Sequence, residues 1–98
     1  MDDRERILRI AQMEELMDET LAAARSLEWA LENWEAAQPS LETLAAYYEG
    51  PLWREDFEAD EAGKLPPELK RGVLSEDGLY DLLERARELD SRILEREE

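Results

Sequence analysis

Between about residues 3 and 38, side chains that can face a core recur at alternating spacings of three and four. Ile10, Met13, Met17, Thr20, Ala24, Leu27, Leu31 and Trp34 form one stripe. Leu16, Ala23, Ala30 and Ala37 widen it on one side. This spacing predicts an amphipathic helix with a broad face turned inward. No glycine or proline interrupts it. A helix of about 36 residues, rising about 1.5 Å per residue, is roughly 54 Å long. That is more than one small bundle needs, so two shorter segments are expected to return along it.

Pro39 and Ser40 mark the first expected reversal, since proline suits a first helical turn and serine a cap. A second helix is predicted over about 40–49, where Leu41, Leu44, Ala45 and Tyr48 repeat at helical spacing. Gly50-Pro51 should end it and open a short helix over about 51–62, with Leu52 or Trp53 and Phe57 on one side. Gly63 is the expected stop. Residues 63–74 read as a loop with one tight turn at Pro67–Lys70. A last helix is predicted over about 75–96, capped by Ser75, with Glu76 and Asp77 opposing the dipole and Leu74 stapled onto Leu79. Its stripe is Leu79, Leu82, Ala86, Leu89 and Ile93. The fold class is therefore all-α: one domain over 1–98, a small antiparallel helical bundle. In it a long N-terminal helix is packed by a broken middle segment and a C-terminal helix.

Composition narrows the chemistry. The chain has no cysteine and no histidine. Thiolate nucleophiles, disulfides, the usual near-neutral general base and the commonest transition-metal ligand are all removed. No cofactor is called for. With 98 residues, 43% hydrophobic and 40% charged, the chain suits one modest core and not disorder. Its longest apolar run, Leu44 to Tyr48, is too short to span a bilayer. The opening residues lack the order of a signal peptide, and the expectation is a cytoplasmic protein.

The formal net charge is −15, which disfavours nucleic acid and anionic membranes as partners. From Ile10 to Trp53 nine acids face one base, Arg25. This is either a solvated face or a docking surface for a basic protein.

Special backbone residues concentrate between Tyr47 and Leu83, which holds all four glycines and three of the four prolines. Within it, Asp56 and Asp60 sit one turn apart and could pair with Arg54, Lys64, Lys70 or Arg71, fastening the loop to its helix. Tyr47 and Tyr48 are adjacent and point about 100° apart, so both cannot face one core. Together with Trp53 they form an aromatic plug or a groove for a partner. The candidate partner-contact residues are Tyr47, Tyr48, Trp53, Asp56 and Asp60, with the cations Lys64, Lys70 and Arg71. No catalytic residue is assigned. A weaker, metal-binding alternative gathers Glu15 and Asp18 with Asp77 and Asp81, as in magnesium-dependent all-α nucleotide pyrophosphatases.

Several of these residues also carry a family resemblance. Glu5–Ile7, Met13–Asp18, Tyr47-Tyr48, Trp53, Asp56–Pro66 and Leu69–Asp77 resemble the bacterial family known as domain of unknown function 4298. The resemblance covers nearly the whole chain and is most specific from Asp56 to Asp77. It implies a small bacterial cytosolic protein and supplies no activity. The reading is a non-enzymatic protein–protein interaction or regulatory module. The alternatives are a magnesium-dependent carboxylate enzyme and a self-associating structural protein, a homo-oligomer.

Overall fold

The computed structural model describes residues 3–97, and the side-chain surroundings of residues 3–95. The described residues are all-α: α1 spans Asp3–Glu49, α2 Pro51–Glu61 and α3 Gly78–Glu97, with a 3-10 helix at Gly72–Leu74. The chain divides into two compact units, Met1–Gln38 and Pro39–Glu98.

In the first unit α1 begins with acids in its opening turn, Asp3 and Glu5, which oppose the helix dipole. Every residue from 3 to 30 is exposed. The stripe assigned by its spacing to an inward face is on the surface here, with Ile10 54% and Leu27 60% exposed. Among the described residues of this unit only Leu31, Trp34 and Gln38 are partly covered.

The expected break at Pro39-Ser40 does not occur: Pro39 lies inside α1, and the predicted helices over 3–38 and 40–49 are one. Proline removes a single ladder bond, the one its N–H would donate to the carbonyl of Glu35. Both Pro39 and Glu35 are exposed, so water can serve that carbonyl. Side chains reinforce the turns around it. The Gln38 amide donates to the Trp34 carbonyl at 3.2 Å, and the Thr43 hydroxyl donates to the Pro39 carbonyl at 3.0 Å. The boundary between the two units still falls at this proline.

The second unit opens with the final turns of α1. Gly50 leaves the helix in an extended conformation and Pro51 starts α2, as the Gly-Pro pair predicts. At the end of α2, Gly63 adopts a left-handed φ of 70°. Its N–H donates to Asp60 and that of Lys64 to Ala59, both at 3.0 Å. These are the two bonds of a Schellman ending, and they satisfy carbonyls that the last turn leaves open.

The loop beyond differs in detail from its expectation. Leu69 donates to the Pro66 carbonyl at 3.1 Å, closing a turn at 66–69, and the 3-10 helix follows at Gly72–Leu74. That helix touches both α2 and α3. It delivers Leu74 to the core, where Leu74, Leu79 and Ala86 are 6%, 3% and 3% exposed. Ser75 caps as expected, but α3 proper begins at Gly78 and residues 76–77 form a turn. The Ser75 hydroxyl accepts the Gly78 N–H at 3.1 Å and donates to the Gly72 carbonyl at 2.9 Å. It thereby joins the 3-10 helix to α3.

Candidate interaction surface

The sequence places eight contact candidates between the end of α1 and Arg71, all in the second unit. Three polar contacts use five of them. The Tyr47 hydroxyl donates to the Asp56 carboxylate at 2.6 Å, tying the last turn of α1 to α2. That bond to a carboxylate holds the phenol proton in place and pushes the Tyr47 pKa up to about 12. The Trp53 indole N–H donates to the Val73 carbonyl at 2.8 Å, tying α2 to the 3-10 helix. Arg71 pairs with Asp60 at 2.6 Å, with both side chains about two-thirds covered (34% and 27% exposed). The expected fastening of the loop by ion pairing thus runs through Asp60 and Arg71, while Asp56 is taken by a phenol and not by a cation.

The rings add a second layer. Tyr48 meets Trp53 edge-on, with centroids 5.0 Å apart, and Trp53 stacks on Phe57 at 5.2 Å. Tyr47 and Tyr48 are both partly covered. The adjacent pair is split between a polar contact and a ring contact, and neither phenol is left projecting alone. Lys64 and Lys70 remain exposed. Lys70 borders a shallow groove of about 460 Å³ that Leu44, Val73, Leu79 and Leu82 line.

The acids of the metal-binding alternative, Glu15, Asp18, Asp77 and Asp81, are all exposed. Among the described residues no group of three or more acids is arranged to hold a metal ion. No described helix is long and apolar enough to cross a membrane.

The largest run of exposed apolar side chains lies elsewhere, on α1. Ile10, Met13, Leu16, Met17, Leu21 and Leu27 share one side of the helix and are 42–60% exposed, while Leu8 and Trp29 are exposed on the other side. Spacing alone identifies this face as apolar but cannot distinguish a face awaiting a partner from one already in a core. The Val73 carbonyl, which receives the Trp53 indole, carries no side-chain signal at all.

The family model described as Domain of unknown function (DUF4298) matches residues 10–96. The chain belongs to this family. The DUF4298 match takes in both the exposed α1 face from Ile10 onward and the locked segment from Tyr47 to Arg71, and the family description assigns no activity. No curated protein and no solved structure matches the chain.

Proposed function

We propose that this DUF4298 protein is a non-enzymatic interaction module of the cytoplasm, and that α1 carries its contact surface. The observation that carries the reading is the apolar face between Ile10 and Leu27, whose six large side chains (Ile10, Met13, Leu16, Met17, Leu21 and Leu27) are 42–60% exposed. Single exposed hydrophobics are ordinary on a soluble protein, but a contiguous run of them marks an interaction site. The Tyr47–Arg71 segment has a supporting role in this reading. Its polar groups are turned to one another by the Tyr47–Asp56, Trp53–Val73 and Asp60–Arg71 contacts, which fix the second unit's shape.

The test is a comparison of two baits in extract of the native host, with and without cross-linking. One is the wild-type chain and the other is Met17→Glu/Leu27→Glu, which places two charges on the α1 face. A defined host protein recovered near stoichiometry by the first bait and lost with the second is the expected result. Identical recoveries, or none by either bait, would sink the assignment.

A further inference from the structure

The alternating three-and-four spacing of the α1 stripe is a strict seven-residue repeat, with Ile10, Met17 and Ala24 in one seam position and Met13, Thr20 and Leu27 in the other. A repeat of that period belongs to helices that pair along their length, because it keeps the seam facing a second helix as both supercoil. The two edges of the seam differ. One edge is apolar, with Leu16 and Ala23; the other carries Glu14, Leu21 and Glu28, continued by Glu35. From Ile10 to Gln38 seven acids stand against the single base Arg25.

We infer that the face between Ile10 and Leu27 takes an amphipathic helix of another protein, with an apolar seam and lysine or arginine along its flanks. The inference rests on the contact reading above and names the chemistry of the partner. Six exposed side chains on this face, at roughly 100 Å² each, offer on the order of 600 Å², against about 800 Å² per partner in a standard interface. That is the range of a reversible complex. Charge decides between a foreign helix and a second copy. In a parallel pair each edge residue faces the opposite edge five positions on. A second copy in register would match Arg9 with Glu14 but leave Glu28 opposite Ala23 and Glu35 opposite Ala30. An antiparallel second copy would bring Glu14 toward Glu28. Two chains of net charge −15 also repel before they meet. A basic-flanked helix meets all three glutamates with opposite charge and gains from long-range attraction.

The experiment uses the full chain and three synthetic 28-residue peptides, read by calorimetry and by sedimentation. The first has heptad leucines with lysine flanks, the second the same leucines with glutamate flanks, and the third is a scramble of the first. Binding of the first at micromolar Kd, weakened tenfold or more between 50 and 300 mM salt, is expected, with no binding of the other two. Equal binding of the scramble would overturn the proposal in favour of unspecific charge attraction. A dimer at micromolar concentration with no peptide bound would overturn it in favour of a second copy, and a monomer that binds nothing would overturn it outright. Glu14→Lys/Glu28→Lys/Glu35→Lys, which alters only exposed positions, should switch preference to the glutamate-flanked peptide; an unchanged preference also overturns it. If all peptides fail while the host protein is still lost with Met17→Glu/Leu27→Glu, the contact surface stands and only the partner's chemistry falls.

Discussion

Tyr47 shows how one side chain can tie a helix end to its neighbour and leave a measurable trace. Its hydroxyl donates to Asp56, so the protonated phenol is the bonded form and the pKa rises to about 12. The sign follows from linkage: the stabilisation is complete below the unfolded phenol value near 10 and is lost as pH climbs through about 12. Absorbance titration at 295 nm should therefore show one of the three tyrosines ionising last, and Tyr47→Phe should remove that late step at a cost of about 1 kcal/mol at neutral pH. Three tyrosines titrating together would disprove the contact. Gly78 makes a second single-residue case. A Cβ there would lie 2.4 Å from the Ser75 hydroxyl and 3.0 Å from the Gly72 carbonyl. Gly78→Ala should thus displace the cap and lower stability by about 1 kcal/mol, although alanine is the better helix former. Because both changes break one contact, Ser75→Ala/Gly78→Ala should cost less than the two single variants summed in urea denaturation.

Helix identity was legible wherever the pattern was periodic, and less so where one residue carried two meanings. Ser75, Gly63 and Gly50-Pro51 each act as their chemistry suggests, because a cap or a left-handed φ is decided within a few residues. Pro39 was the ambiguous case, since proline fits both a first turn and an interrupted interior. The interior won because the seam continues through it, from Leu31 and Trp34 to Leu41 and Ala45, and the lost bond faces water. The 3-10 helix at Gly72–Leu74 was hidden for another reason: its stabilising partners, the Trp53 indole and the α3 packing, are remote in sequence. An ion pair fastening the loop to its helix was readable, and Asp60–Arg71 supplies it, but the Tyr47–Asp56 and Trp53–Val73 partners were not. If α1 is one continuous helix across Pro39, Pro39→Ala restores a ladder bond and removes a ring clash. Stability should then rise by about 1–3 kcal/mol, with more helical ellipticity at 222 nm. A fall in either quantity would mean that the proline starts a separate helix in solution.

For the chain as a whole, burial is distributed unevenly. Among the described residues the three buried side chains, Leu74, Leu79 and Ala86, belong to the second unit, whereas every residue from 3 to 30 is exposed. Helices gain most of their stability from packing an amphipathic face, and amide exchange reports how much of that packing each segment has. The first unit has helix-forming sequence and Thr20 bonded to the Leu16 carbonyl, but its residues from 3 to 30 are all exposed. Protection should therefore change near the Gln38–Pro39 boundary. Amides of residues 10–30 are expected to exchange at least a hundredfold faster than those of 79–93, a difference of about 3 kcal/mol in opening free energy. Adding the lysine-flanked peptide should slow the first group and leave the second unchanged, because binding stabilises only the segment it touches. Uniform protection along α1 in the free chain would show that the face from Ile10 to Leu27 is already covered in solution, and the case for an outside partner would then lose its footing.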